Sequence, residues 1–99
     1  MKQYRDWKSA PDEYQLAWRE LDRLGRHLLE LKRLADAIEI LKLNAAENPT
    51  IPGVHESLGD AYRDNRQEDD AIRSYARALE IEPSDRDIAA KLTKLVEHK

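Results

Sequence analysis

Apolar residues recur every three or four positions along most of the chain, the spacing of helices with one buried face. The first stripe is Tyr14, Ala17, Trp18, Leu21, Leu24, Leu28 and Leu31, which predicts one long helix from Pro11 to about Leu31. Ser9 or Ala10 sits near its N-cap, Pro11 suits the first helical position, and Asp12 and Glu13 complement the positive end of the helix dipole. Lys32-Arg33 marks a tight turn. A second helix follows on Leu34, Ala37, Ile38, Leu41 and Ala45, with Ile40 and Leu43 adding a second apolar side for a neighbour. Asn48-Pro49 ends it, because proline disfavours a helical residue before it. Pro52-Gly53 opens a third helix bearing Val54, Leu58, Ala61 and Tyr62. Asp64-Asn65-Arg66 is the next turn. The fourth helix starts with Glu68, Asp69 and Asp70, buries Ala71, Ile72, Tyr75, Ala78, Leu79 and Ile81, and stops at Pro83. Ser84 or Asp85 caps a fifth, running to about Glu97 on Ile88, Ala89, Leu92, Leu95 and Val96. Met1 to Ala10 shows no clear period. Tyr4 and Trp7 there suit either a frayed end or an aromatic lid over the first helix.

The pattern repeats itself. Leu24-Gly25 precedes Leu58-Gly59 by 34 residues, and Leu28, Ala37, Leu41 and Pro49 answer Tyr62, Ala71, Tyr75 and Pro83 at the same offset. A glycine inside a helix costs about 1 kcal/mol against alanine. Two glycines in equivalent places therefore predict two points where a paired helix comes close.

The residues Leu58-Gly59, Tyr62, Ala71, Tyr75, Ala78 and Pro83 resemble the signature of the tetratricopeptide repeat. The resemblance covers Trp18 to about His98. It implies an all-α superhelix of antiparallel hairpins: a segment 1–10, a first repeat at about 18–51, a second at about 52–85 and a capping helix at about 86–97. Thr93 stands in that last helix where glycine stood before. Leu28 and Leu41 lack the rings found at Tyr62 and Tyr75, and Asn44 stands where the pattern takes a small apolar residue. By register Asn44 points at the next repeat, and it is expected to hydrogen-bond the connection near Pro49 to Pro52. A narrower likeness, carried by Leu41-Lys42-Leu43-Asn44 and the segment Ser57 to Tyr62, is to a repeat pair appended to some bacterial serine hydrolases.

Composition bounds the function. The chain has 99 residues, 37% charged and 40% hydrophobic, which suits one small domain of amphipathic helices. Its net charge is −3, and the acidic excess lies after Pro52; nucleic acid would reward a basic stripe instead. No apolar run approaches a membrane span, and no signal peptide is expected. There is no cysteine, so disulfide and thiolate chemistry are excluded, and a cytoplasmic location is the default.

Catalytic chemistry finds little foothold. His27, His55 and His98 form no paired metal motif and read as surface or half-buried histidines. Ser57 lies in a helix without the spacing of a nucleophile elbow. Asp64, Glu68 and Asp70 lack the glycine and the last glutamate of a calcium loop. No glycine-rich phosphate loop is present. No enzyme, metal or cofactor is expected.

The resemblance places the ligand face on the first helix of each repeat. Carried over, it implies Arg19, Asp22, Arg26 and Leu29, then Gly53, Glu56, Asp60 and Arg63, with Asp87, Lys91 and Lys94 from the capping helix. The implied partner is a protein or peptide. One subgroup of the family grips the C-terminal carboxylate of chaperone tails with lysine and asparagine. Here Asp22, Arg26 and Ser57 occupy those places, so that clamp is absent. The mixed charges also suit a solvated, self-paired helix face. About three repeats are usually needed for stability and this chain has two and a half, so homodimerisation is the alternative to a foreign partner.

Overall fold

The computed structural model describes residues 11–98, with side chains from 17 to 97. The expectations for Tyr4, Trp7, Ser9, Ala10 and the Tyr14 side chain lie outside those residues. Five helices follow in order: α1 (Pro11–Glu30), α2 (Leu34–Glu47), α3 (Pro52–Asp64), α4 (Glu68–Ile81) and α5 (Arg86–His98). No strand occurs among the described residues. Each helix packs on the next, and α1 also touches α3. The first helices of successive hairpins therefore line one side of the stack.

The two hairpins are built alike. Lys32 and Arg66 hold positive φ, 63° and 62°, at equivalent places in the turns α1–α2 and α3–α4. In each turn the following N–H reaches back across the helix end, Arg33 to the Leu28 carbonyl (2.9 Å) and Gln67 to the Tyr62 carbonyl (2.8 Å). This is the Schellman closure, which needs a left-handed residue just past the helix. It explains how the turns form without glycine, at a local cost of about 1–2 kcal/mol each.

The glycines sit where the pairing is closest. A Cβ on Gly59 would lie 2.6 Å from the Tyr75 ring, and one on Gly25 would fall inside the Leu41 side chain. Leu41 and Tyr75 are both fully buried. The absent side chain at each glycine is thus filled by the large residue opposite. Around these contacts lie two core clusters. One holds Leu29, Ala37, Ile38, Leu41, Leu58 and Ala61. The other holds Ala71, Tyr75, Ala78, Ile88 and Leu95. Tyr62 packs against both and joins them. At the start of α5, Asp85 rather than Ser84 is the cap: its Oδ1 accepts the Ile88 N–H at 3.1 Å.

Some apolar positions fall outside the core. Leu24 on α1, Leu31 in the turn after it, Leu43 on α2 and Val96 on α5 are about half exposed. The stripe of α1 is broader than α2 and α3 can cover. The second side of α2 is likewise only half satisfied, through Ile40. Asn44 corrects a further expectation. It is fully buried, but its Nδ2 donates to the Trp18 carbonyl of α1 at 2.9 Å, not to the inter-repeat connection. Its Oδ1 accepts from Asn48 Nδ2 at 2.7 Å. The connection is held by His55 instead, whose Nε2 lies 2.8 Å from the Pro49 carbonyl. His55 is buried, where a surface or half-buried ring was expected.

Candidate functional site

The side of the stack formed by α1, α3 and α5 carries most of the charged residues expected there. It owes its character to register: residues 34 apart on successive first helices face the same way. Asp22 and Glu56 are such a pair, as are Arg26 and Asp60. Pairs that are equivalent in sequence are therefore set side by side: Asp22 and Glu56 carry like charges, whereas Arg26 and Asp60 are opposite and meet across helices.

Asp60 is the centre of this face. It is 5% exposed, yet it is surrounded by donors. The Tyr75 hydroxyl of α4 donates to its Oδ1. Lys91 Nζ of α5 lies 3.2 Å from both of its oxygens. Arg26 Nη2 of α1 lies 3.4 Å from Oδ2, and Arg63 Nη1 lies 3.5 Å from Oδ1. Four elements are thus tied to one carboxylate. A buried charge is tolerated only when paired and hydrogen-bonded in this way. Lys91 also holds Glu56 at 2.8 Å. On the other flank Ser57 donates its hydroxyl to Asp22, which in turn pairs with Arg26 Nε at 3.5 Å.

These contacts shift the basic and phenolic groups. Burial pushes the Tyr75 hydroxyl well above the ordinary tyrosine range, and its bond to Asp60 and the charge there add to the effect. For Lys91, burial alone would lower the value, but hydrogen bonds and charge from Glu56 and Asp60 raise it overall. Arg63 is likewise raised, with Tyr75, Asp60 and Asp64 outweighing its own desolvation. All three keep their protons through the neutral range.

Two open cavities flank the network. One, of about 840 Å³, lies between the end of α3, the start of α4 and the last turns of α5, and includes Arg63, Lys91 and Lys94. The other, of about 440 Å³, runs along α1 and includes Trp18, Arg19, Asp22 and Arg26. Trp18 is half-buried, with its ring 3.6 Å from where a Gly53 side chain would begin. Arg19 lies over the same ring, 5.6 Å from its centre. Trp18 is thus both a packing residue and part of a cavity wall, where pure core had been expected.

The expected site residues separate into groups. Asp22, Arg26, Glu56, Asp60, Arg63 and Lys91 join one network. Arg19 and Lys94 line the cavities at its two ends. Leu29 does not belong: it is buried in the core with Ala37, Ile38 and Leu41, because α2 closes over it. Sequence reasoning missed Tyr75 as a polar contributor, having counted it for its ring. Its phenol, four residues after Ala71 and facing Gly59, was the available signal.

Residues 52–85 match the family model of the tetratricopeptide repeat. That segment is a tetratricopeptide repeat. Solved structures agree on the TPR fold. The first TPR of Spaghetti (RPAP3), bound to the HSP90 peptide SRMEEVD, superposes with a TM-score of 0.77 at 21% identity, over 94% of this chain and 79% of that one. The first TPR domain of human RPAP3, solved by NMR, gives a TM-score of 0.74 at 21% identity, over 92% of this chain and 77% of that one. No curated protein sequence matches the chain. TPR domains are generally interaction modules, and no helix among the described residues of this one is long and apolar enough to cross a membrane.

Proposed function

We propose that the face built by α1, α3 and α5 binds a peptide segment of another protein. The observation that carries this reading is the Asp60 network with a cavity at either end. The network fixes four helices around a buried carboxylate, so the surface above it is rigid before any ligand arrives. Pre-ordered side chains lower the entropic cost of binding. The cavities provide recesses for side chains, and the charged rims provide specificity. A TPR of similar fold holds the HSP90 peptide SRMEEVD, which supports a peptide as the class of ligand. The terminal-carboxylate clamp is a different matter. Asp22 presents a carboxylate where that clamp would carry lysine, so a chaperone tail is disfavoured.

Titration of the folded protein with fluorescent peptides of varied charge, read by anisotropy, tests the proposal. Saturable binding that is lost on Lys91→Glu, with the helical circular dichroism retained, is the expected result. Absence of saturable binding by any peptide overturns it.

Self-association is the second reading. It is favoured by Leu24 on α1, Leu31 in the turn after it and Val96 on α5, which leave apolar surface at opposite ends of the stack. Size-exclusion chromatography with light scattering separates the two. A dimer that dissociates on Leu31→Glu or Val96→Glu supports the second reading, and a monomer across micromolar concentrations removes it.

A further inference from the structure

Resting on the groove reading above, we infer that the ligand is an acidic, apolar-flanked segment, held through side-chain carboxylates in the cavity between α3 and α5 and not through a free C-terminus. Three observations lead there. The first is how the charges on this face are used. Asp60 and Glu56 are occupied by Lys91, Arg26, Arg63 and Tyr75, and Asp22 by Ser57 and Arg26. Each carboxylate in the middle of the face already has a cationic or hydroxyl partner within the protein. Among the described residues Lys94, by contrast, is exposed and forms no ion pair, and Arg63 keeps 41% of its side chain in water.

The second observation is the lining of the larger cavity. Arg63, Lys91 and Lys94 stand at its rim, and Ala90 and Leu95 contribute an apolar floor. Glu68 is the one carboxylate on the lining, and as the first residue of α4 it is offset by the free amides of that helix end. The chemistry that fits is a carboxylate beside an aliphatic or aromatic side chain.

The third is charge segregation. The expected concave residues comprise the five cations Arg19, Arg26, Arg63, Lys91 and Lys94 against the four carboxylates Asp22, Glu56, Asp60 and Asp87, a net +1, while the whole chain carries −3. A locally positive face on an acidic protein steers acidic partners toward it. The Asp22 end works the other way: a terminal carboxylate placed there would meet the Asp22 charge.

The test uses C-terminally amidated fluorescent heptapeptides in which acidic, basic and apolar content is varied independently, together with free-acid copies of the acidic ones. Acidic peptides containing an apolar residue are expected to bind, amide and free acid alike within about twofold. Lys94→Glu, at an exposed position that leaves the fold intact, is expected to weaken them about fivefold and to shift preference toward basic peptides. A preference for basic peptides in the unaltered protein, or indifference to Lys94→Glu, overturns the inference and leaves the groove reading standing. A tenfold loss on amidation overturns it too. Failure of every peptide, whatever its charge, takes the groove reading down as well.

Discussion

Replacing Asp60 by alanine tests whether the charged face and the core are one unit. The substitution removes a carboxylate that is almost fully buried, accepts from Tyr75, Lys91 and Arg26, and forms an ion pair with Arg63. The contributions differ. Tyr75 is fully buried, so its hydroxyl is left without its acceptor, at a cost of about 1–3 kcal/mol. Arg26 and Arg63 are 44% and 41% exposed, so water replaces much of what they lose, and each contributes about 0.5 kcal/mol or less. Lys91 keeps Glu56. The expected total is about 2–3 kcal/mol, which for a domain of this size lowers Tm by about 10–20 °C. Urea melts followed by circular dichroism measure it. A cycle with Tyr75→Phe isolates the central bond, with an expected coupling of about 1–2 kcal/mol. Asp64→Ala, which touches only the exposed part of Arg63, serves as control and is expected to cost under about 0.5 kcal/mol. If Asp60→Ala matched that control and the cycle showed no coupling, the carboxylate would be an ordinary surface charge and the reasoning would be wrong.

Alkaline pH provides a second probe. Tyr75 and Lys91 are raised above their ordinary values of 10.0 and 10.5, so the unfolded chain loses those protons first. Stability is therefore complete below about pH 10 and declines as pH rises beyond it, and Tyr75→Phe should flatten the decline in a Tm series. Gly59→Ala is expected to destabilise by about 1–2 kcal/mol despite its better helix propensity, since the Tyr75 ring must move. Gly25→Ala, facing the more adaptable Leu41, should cost less, and a reversed order in urea melts would count against the packing argument. Arg66→Gly should stabilise by about 0.5–1 kcal/mol by relieving its positive φ, measured the same way. Asn44→Ala should cost about 1–3 kcal/mol by removing the buried bonds that its side chain makes to the Trp18 carbonyl and to the Asn48 amide.

Much of the architecture could be read from the chain because the signal came twice. Gly25 and Gly59 predict the same close approach independently, and periodicity together with the prolines places the helices within a residue or two. What the sequence concealed was direction within a face. Leu29 was assigned to the groove by register, yet a leucine on the border between two faces turns toward whichever side excludes water, and α2 provides that side. Asn44 was expected to look forward to the connection and looks back to Trp18, because the carbonyls of α1 are the nearer acceptors. His55 shows the converse. Its ring carried no motif, and only the fold brings it beside the Pro49 carbonyl.

The pattern of charges has a similar origin. A 34-residue period brings together residues far apart in sequence, so whether a face is repulsive or self-paired depends on what stands one period away. Arg26 and Asp60 have opposite signs at that distance, and Lys91 meets Glu56 and Asp60 from 35 and 31 residues away. A scan for local charge clusters sees none of this. The phenol of Tyr75 completes the arrangement from beneath: the same side chain fills the space left by Gly59 and donates to Asp60. A change that loosens the α3–α4 pairing must therefore also disturb the charged face. Gly59→Ala, made to test packing, should weaken any ligand that depends on Lys91 and Arg63, although it lies in the core beneath them.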